Sequence, residues 1–129
     1  MTMRPDRFTE SAQEAIAQSQ DVVRRLRQSQ WDVEHLLYAL LEQQNGLTGQ
    51  ILQKLGVDGT LVRQRLHTAL DASPKQQYEA TQIYATPRIA TMFQAADGEA
   101  KRLKDDYIGA EHLLIAVVNE RDGQSAKLL

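Results

Sequence analysis

Apolar residues recur at spacings of three and four along most of the chain, and no sustained alternation of apolar and polar residues occurs. This period places apolar side chains on one face of a helix, whereas a half-buried strand would alternate them. Thr9 and Asp32 precede the first two periodic segments, and their side chains can accept hydrogen bonds from the free N–H groups of a helix start. The pattern therefore predicts an all-α fold whose first two helices start at these residues.

Four helices are predicted before residue 71. Asn45-Gly46 ends the second, Gly56 ends a short third that carries Ile51, Leu52 and Leu55, and Asp58 caps the fourth. The positions predicted to face inward on the first, second and fourth helices are Ala12, Ala15, Ile16, Ser19, Val22, Val23 and Leu26, then Leu36, Leu37, Leu40 and Leu41, then Leu61, Val62, Leu66, Ala69 and Leu70.

A block of sequence near residue 35 recurs near residue 112. Residues 33–39 are VEHLLYA and residues 110–116 are AEHLLIA, an offset of 77 (112 − 35) that holds without a gap from Thr9/Thr86 to Leu52/Leu129. Self-similarity at a fixed offset indicates a repeated structural unit. The sequence therefore predicts two related helical copies, and a binding site would lie between them or occur twice.

The second copy is predicted to begin at Thr86-Pro87, with Thr as the N-cap and Pro at the first helical position, where no N–H is needed. Its apolar stripe repeats that of the first helix at Ile89, Met92, Phe93, Ala96, Ala100 and Leu103. A sixth helix is predicted from about Ala110 to Arg121. Polar residues 71–85 are interpreted as an ordered connector, pinned at its end by Ile83 and Tyr84, because neither half alone offers much core.

These elements predict a single domain over residues 1–129, with a first repeat at about 9–70 and a second at about 86–129. The second copy stops some 18 residues (70 − 52) before the equivalent end of the first. A truncated second copy suggests an excerpt of a longer polypeptide or a naturally shortened relative.

Composition excludes several classes of function. The chain has 129 residues, 42% of them hydrophobic, and a formal charge of −2, which gives no field to recruit nucleic acid. Because cysteine is absent, thiolate catalysis and thiolate metal sites are excluded. No glycine starts a phosphate-binding Gly-x4-Gly-Lys-Ser/Thr loop. No apolar stretch is long enough to cross a bilayer, so no membrane contact and a cytoplasmic location are expected.

Two Glu-His pairs, Glu34-His35 and Glu111-His112, could suggest a metal site or acid–base chemistry. Adjacent residues on a helix point about 100° apart, so they do not converge on one ion. The zinc helix motif, with histidines four residues apart, is absent. A packing role for both histidines is therefore favoured, a metal hydrolase is remote, and His67 is expected to face solvent.

Two basic runs, at residues 24–27 and 101–104, recur with the repeat. Cations suit the last turn of a helix because they oppose its dipole. A solvated helix end is favoured over the alternative, a docking patch for an acidic partner.

Glu34 and Glu111 fall in the first turns of the second and sixth helices, while Thr9 and Thr86 cap the first and fifth. The helix dipole alone favours a carboxylate at these positions. The alternative is a recognition site, and the residues by themselves leave both interpretations open.

The ordered set of motifs resembles the Clp N-terminal domain, the double helical repeat at the front of the Clp/Hsp100 ATPases. The residues that carry the resemblance are Phe8-Thr9-Glu10, Glu34-His35-Leu36-Leu37, Leu55-Gly56-Val57-Asp58, Thr86-Pro87-Arg88 and Gly109-Ala110-Glu111-His112-Leu113-Leu114. They span essentially the whole chain. The start, Met3-Arg4-Pro5-Asp6-Arg7-Phe8-Thr9, is most similar to ClpB-type domains.

The resemblance implies a non-catalytic module that recruits unfolded or aggregated polypeptides for a ClpB-like, ATP-dependent disaggregase. In ClpB-type domains a surface groove corresponds here to Thr9, Asp105 and Glu111. The implied partners are such clients, an adaptor protein and the AAA+ body of a hexamer. No cofactor is implied for this chain, since ATP would bind only in domains outside it.

The near alternative is a ClpC-type domain, which serves an unfoldase that feeds a protease, or a free-standing Clp-N protein. ClpC-type domains bind adaptors or phosphoarginine, the latter at positions that fall here on Thr9, Glu34, Thr86 and Glu111. Those relatives usually have Gly-Thr before each Glu, whereas this chain has Asp32-Val33 and Gly109-Ala110. The missing threonines favour the ClpB type.

Overall fold

Six helices and two short strands form the described part of the chain, residues 5–43, 46–79 and 81–120 of a computed structural model. The helices are α1 (Glu10–Arg25), α2 (Val33–Glu42), α3 (Leu47–Lys54), α4 (Gly59–Asp71), α5 (Pro87–Arg102) and α6 (Ala110–Val118); the strands are β1 (Gln30–Trp31) and β2 (Tyr84–Ala85). A 3-10 turn at Pro5–Arg7 precedes α1. The all-α prediction is therefore confirmed, with a two-residue strand pair as an unpredicted addition.

The helices α1 and α5 begin and end in the same way. Each has 16 residues and starts after a threonine whose Oγ1 accepts a backbone N–H at 3.2 Å, from Ala12 onto Thr9 and from Ile89 onto Thr86. Each is followed by a basic residue in the left-handed region, with φ of 56° at Arg27 and 60° at Lys104. A residue with a side chain in this region costs about 1–2 kcal/mol. Because Arg27 and Lys104 are equivalent in the repeat, the shared unfavourable turn indicates one repeated structural unit.

Two parallel backbone bridges join the copies crosswise. Phe8, which precedes α1, pairs with Ile108, which precedes α6, and Trp31, which precedes α2, pairs with Ala85, which precedes α5. The repeat offset converts one bridge into the other, because residues 8 and 31 correspond to 85 and 108. This exchange relates the two predicted copies by a pseudo-twofold axis.

The core is shared by the two copies. Leu36, Leu37 and Leu40 of α2 and Leu113 of α6 are fully buried in one cluster. The ring of Phe93 on α5 lies 5.9 Å from that of Phe8 and 5.6 Å from that of Trp31, measured between ring centroids. The most extensive helix contacts are within each copy, of α1 and α4 with α2 and of α5 with α6, but both copies contribute apolar side chains to one cluster, which couples their folding.

The connector is held by its backbone. Gln76 N–H donates to the carbonyl of Arg27 at 2.7 Å, and Tyr84 N–H donates to that of Ser29 at 2.8 Å. The ring of Tyr84 is exposed. The end of the connector is thus fixed by strand pairing rather than by burial of an aromatic side chain.

Two positions predicted to face inward are exposed, Leu61 on α4 and Leu103 after α5. Leu26, the equivalent of Leu103, lines a small cavity together with Leu70 of α4. The described part of the second copy has no counterpart of α4, so Leu103 lacks such a cover.

Helix ends also differ from the prediction. The helix α2 ends at Glu42 and Gly46 is the N-cap of α3, so Gly46 belongs to the next helix; Asn45 lies outside the described residues. Gly56, with φ of 75°, follows α3 as predicted. The helix α6 ends at Val118, before Arg121, which together with Leu129 lies outside the described residues. Within the described ranges, no helix combines the length and apolar character required to span a bilayer.

We expect Leu36→Ala to destabilise the fold by about 2–5 kcal/mol, because it leaves a cavity in the fully buried cluster shared by both copies. Urea denaturation followed by far-UV circular dichroism measures this change. Leu61→Ala is the matched control, since Leu61 is 41% exposed, and should cost about 0.5 kcal/mol or less. Equal losses for the two variants would contradict the burial described here.

Candidate recognition sites at the paired helix starts

The crosswise bridges bring four helix starts together in two pairs. The start of α5 lies beside the start of α2, where Thr86 Oγ1 donates to Asp32 Oδ1 at 2.8 Å. The start of α1 lies beside the start of α6, where Thr9 N–H donates to the carbonyl of Ile108 at 3.0 Å. We call the first pair the first site, defined by Asp32, Glu34, Thr86 and Arg88, and the second pair the second site, defined by Thr9, Ser11, Gly109 and Glu111.

Arg88 dominates the first site. Its Nη1 donates to Asp32 Oδ2 at 2.9 Å, and its Nη2 donates to Glu34 Oε1 at 3.1 Å. Its Nε and Nη2 also donate to the two carboxylate oxygens of Glu120, at 2.9 and 2.7 Å. The bonds to Glu120, and secondarily those to Glu34, raise the pKa of Arg88 above its ordinary value. One permanently charged guanidinium therefore links α2, α5 and the segment after α6.

Glu34 is a buried carboxylate. Its side chain is 8% exposed, and Oε2 has no hydrogen-bond partner, whereas Oε1 receives the bond from Arg88. Burying a charge is costly unless it is paired, and the dipole of α2 gives only partial compensation. Glu34 therefore depends on Arg88 to compensate its charge, and little of its carboxylate is accessible to a separate molecule.

His35 is part of the capping of α2. Its Nδ1 accepts the N–H of Asp32 at 3.0 Å, so its Nε2 carries the proton and donates to Gln28 Oε1 at 2.7 Å. Gln28 Nε2 in turn donates to the carbonyl of Leu70 at 2.6 Å, which connects α2 to α4. Burial lowers the pKa of His35 to about 4. Both ring nitrogens are occupied, which confirms the predicted structural role.

A pocket of about 370 Å³ opens beside the first site. Asp32, Glu34 and Arg88 line it together with the apolar side chains of Leu70 and Pro74. The carboxylates on its wall are already bonded to Arg88, so the charge they present to a ligand is partly neutralised.

The second site has the same backbone arrangement and a different set of charges. The side chain of Glu111 is 41% exposed, and its carboxylate lies over Gly109. A Cβ at residue 109 would lie 2.5 Å from Glu111 Oε1, so glycine is required for this placement. Within the described ranges, no donor hydrogen-bonds to this carboxylate. The second site therefore presents an open negative charge at a helix start.

His112 does not neutralise Glu111. Its Nδ1 lies 3.5 Å from Glu111 Oε1 but accepts the N–H of Gly109 at 2.8 Å, so this nitrogen has no proton to offer. Its Nε2 donates to Asp105 Oδ2 at 2.8 Å. His112 is thus a capping residue like His35, as predicted, and Asp105 stands at the position equivalent to Gln28.

The structure brings the five predicted site residues together in two groups. Thr9 and Glu111 share the second site, and Asp105, half exposed at 49%, is connected to it through His112. Thr86 and Glu34 share the first site. Thr9 and Thr86 are both N-caps, so their hydroxyl oxygens already accept backbone N–H groups. Buried side chains of Val33 and Ala110 occupy the positions of the threonines expected in ClpC-type domains.

Sequence reasoning missed Arg88 and its partner Glu120. In the sequence, Arg88 stands out only as part of the Thr86-Pro87-Arg88 motif, because its three carboxylate partners are up to 56 residues away in the chain. A comparison of the two copies position by position would have shown the difference, because the residue equivalent to Arg88 is Ser11.

Comparison with known proteins identifies the family of this chain. The model of the Clp repeat (R) N-terminal domain matches residues 7–129. The chain belongs to the Clp N-terminal domain family. A relative from Synechocystis, chaperone protein ClpB 1, is 40% identical over 116 residues, which are 90% of this chain and 13% of that protein. The predicted resemblance to the Clp N-terminal domain, and to the ClpB type in particular, is confirmed.

Solved structures agree with this Clp-N fold. The Hsp104 N-terminal domain of Candida albicans superposes with a TM-score of 0.83 at 18% identity, covering 94% of this chain and 78% of that one. The N-terminal domain of the ClpV1 ATPase from E. coli EAEC has a TM-score of 0.81 at 19% identity, covering 97% and 72%. At these identities the likeness establishes the fold alone.

We expect acidification from pH 7 to pH 5 to cost about 2 kcal/mol of stability through His35. The folded pKa of about 4 lies below the unfolded value of 6.5, so within this window the unfolded chain binds a proton that the folded chain excludes. His35→Gln keeps a side chain able to accept the Asp32 N–H and removes the titration. Urea denaturation at both pH values should show a smaller loss in this variant.

His67→Gln is the control for this measurement, because His67 is exposed on α4. It should retain the full difference between the two pH values. If His35→Gln and His67→Gln lost equal stability on acidification, burial of His35 would not be the cause.

Proposed function

We propose that this domain recruits unfolded or aggregated polypeptide for a ClpB-like disaggregase, without catalysing a reaction itself. The observation that supports the proposal most directly is the half-exposed carboxylate of Glu111, open at a helix start and without a hydrogen-bonding donor among the described residues. A carboxylate in this position favours clients that carry Lys or Arg. The chain spans about one eighth of the length of the ClpB relatives it matches, 13% in the first, so any motor activity would lie in other parts of such a protein.

Apolar surface next to the second site supports a role in capturing exposed segments. Leu103 and Tyr107 are exposed in the loop that leads from α5 to α6, and Asp105 lies between them. Burying one such side chain contributes only about 1.5–3 kcal/mol, and ordering the client offsets part of it. The expected binding is weak and reversible, which suits a module that releases its client to a motor.

The alternative role, an adaptor-binding or phosphoarginine-binding domain of ClpC type, has less support. Both hydroxyl groups expected beside the glutamates are replaced by buried apolar side chains, and Glu34 is bonded to Arg88. Selectivity for one folded adaptor or for phosphoarginine over generic unfolded chains would favour that role.

We expect Glu111→Gln to weaken binding of a fluorescent unfolded protein, such as reduced and carboxymethylated lactalbumin, about threefold to tenfold. The reason is that it removes one exposed charge contact, of about 1 kcal/mol, while keeping the side-chain volume. Fluorescence anisotropy at low and high salt measures the change. Melting temperature should stay unchanged, since Glu111 makes no hydrogen bond within the described part of the chain.

Glu10→Gln is the matched control, because Glu10 is an exposed carboxylate next to Thr9 in the first turn of α1. It makes the same change in net charge close to the second site and should leave affinity nearly unchanged. Equal affinity of the wild type and Glu111→Gln would contradict the assignment of the second site.

A further inference from the structure

His112 lies between the carboxylates of Asp105 and Glu111. Its side chain is 1% exposed, its Nε2 donates to Asp105 Oδ2 at 2.8 Å, and its Nδ1 lies 3.5 Å from Glu111 Oε1. Asp105, in the loop before α6, and Glu111, in the first turn of α6, are both partly open to solvent. The buried imidazole therefore connects two acidic side chains that a client can reach.

The equivalent histidine of the first copy has different neighbours. His35 Nε2 donates to the neutral side chain of Gln28 at 2.7 Å, and the carboxylate of Glu34 is bonded to Arg88. Burial lowers the pKa of His35 to about 4, so that ring is neutral near pH 7. The repeat offset converts the amide of Gln28 into the carboxylate of Asp105, and the residue equivalent to Arg88 is a serine. The second copy thus surrounds its histidine with acidic groups where the first does not.

Proton uptake by His112 would change what its Nδ1 can bind. In the neutral ring Nδ1 accepts the N–H of Gly109 at 2.8 Å, whereas in an imidazolium both nitrogens carry protons and can only donate. The bond with Gly109 is therefore lost on protonation. A charge-assisted bond is about 2.7–2.9 Å long, so a movement of under about 1 Å would bring Glu111 Oε1 into range. Such a bond contributes about 1.5–3 kcal/mol, enough to hold the partly exposed carboxylate against the ring.

The other charged groups on the surrounding elements are paired elsewhere or exposed. Arg7, in the turn before α1, donates to Asp97 and to the backbone carbonyl of Asp106, and both acidic side chains of α2 are bonded to arginines. The imidazole therefore has two acidic neighbours among the described residues, Asp105 and Glu111. The exposed charged side chains on the neighbouring segments are Glu10 and Glu14 of α1, Lys54 of α3, and Lys101, Lys104 and Asp106 at the end of α5 and after it.

We propose that His112 is a positioning residue of the second site: the neutral ring leaves Glu111 open to a cationic client, and the protonated ring binds Glu111 and withdraws it. Proton uptake thus turns an open carboxylate into an internal ion pair. The proposal rests on the proposed function, because it concerns the same carboxylate, and adds that capture weakens as the pH falls through the range in which histidines titrate. The sign follows from linkage, since the client prefers the form of the site that holds one proton fewer.

The probe is a blocked, fluorescent peptide of lysine, serine and leucine, which has no group that titrates between pH 7.5 and pH 5.5. We expect fluorescence anisotropy to show about fivefold weaker binding to the wild type at pH 5.5 than at pH 7.5. The reason is that protonation removes one exposed charge contact of about 1 kcal/mol. Circular dichroism at both pH values checks that the domain is folded. Equal affinity at the two pH values would overturn the proposal.

His112→Gln separates the titration from the helix cap. A glutamine at the third position of a helix can accept the N–H of Gly109, and it does not titrate. We expect the ratio of the affinities at the two pH values to fall close to one in this variant. His35→Gln is the matched change in the first copy and should keep the wild-type ratio, because Glu34 is bonded to Arg88. A wild-type ratio in His112→Gln, or its loss in His35→Gln, would overturn the proposal.

Nuclear magnetic resonance of the wild type gives a readout that a merely structural histidine would not move. The ring nitrogens of His112 and the carboxylate carbon of Glu111 should change in one common pH transition, because one proton links them. By reciprocity, saturating peptide should move this transition to lower pH, by about 0.7 on the pH scale for a fivefold difference in affinity. A ring that takes up no proton above pH 5.5, or a transition that peptide does not move, would overturn the proposal whether or not His112→Gln folds.

Failure of this inference can be told apart from failure of the proposed function. If Glu111→Gln weakens capture at pH 7.5 while wild-type affinity is the same at both pH values, the role of His112 is rejected and the proposed function stands. If Glu111→Gln binds like the wild type at pH 7.5, the second site is not the capture site and both are rejected.

Discussion

The fold depends on the crosswise pairing of the segments that precede the helices. Thr9 N–H donates to the carbonyl of Ile108, and Thr86 N–H donates to that of Trp31, each at 3.0 Å. These bonds fix the starts of α1 and α5 against those of α6 and α2. Because the core cluster draws its side chains from both copies, the same pairing also decides which apolar faces are buried. These two backbone hydrogen bonds therefore determine where both candidate sites lie.

The two repeated histidines have the same structural role in both copies. His35 and His112, the most suggestive chemical residues of the sequence, each accept a backbone N–H at a helix start and donate to a partner seven residues earlier in the chain. Both nitrogens of each ring are therefore hydrogen-bonded, Nδ1 in the helix cap and Nε2 to a side chain. These two repeated histidines thus serve the fold, and the two sites differ at positions that do not repeat, such as Arg88 and Ser11.

Sequence patterns predicted the features that depend on residues close together in the chain. The helices, the Thr9 and Thr86 caps and the turn after α3 follow from spacing and from the preferences of single residues. Burial of Leu103 was predicted wrongly because it depends on which element covers the stripe, and the two-residue strands are too short to give a periodic signal. The contacts of Arg88 join residues far apart in the chain, so only the three-dimensional pairing of the helix starts reveals them.

The two sites differ in how their carboxylates are compensated. In the first site one guanidinium binds three carboxylates, two at the start of α2 and one after α6, and a buried charge such as Glu34 would be destabilising without it. In the second site Gly109 removes one of those carboxylates, so Glu111 can lie over the helix start and remain accessible without a compensating cation. The two equivalent glutamates are therefore stabilised in different ways: Glu34 is buried against an internal cation, and Glu111 is accessible to solvent.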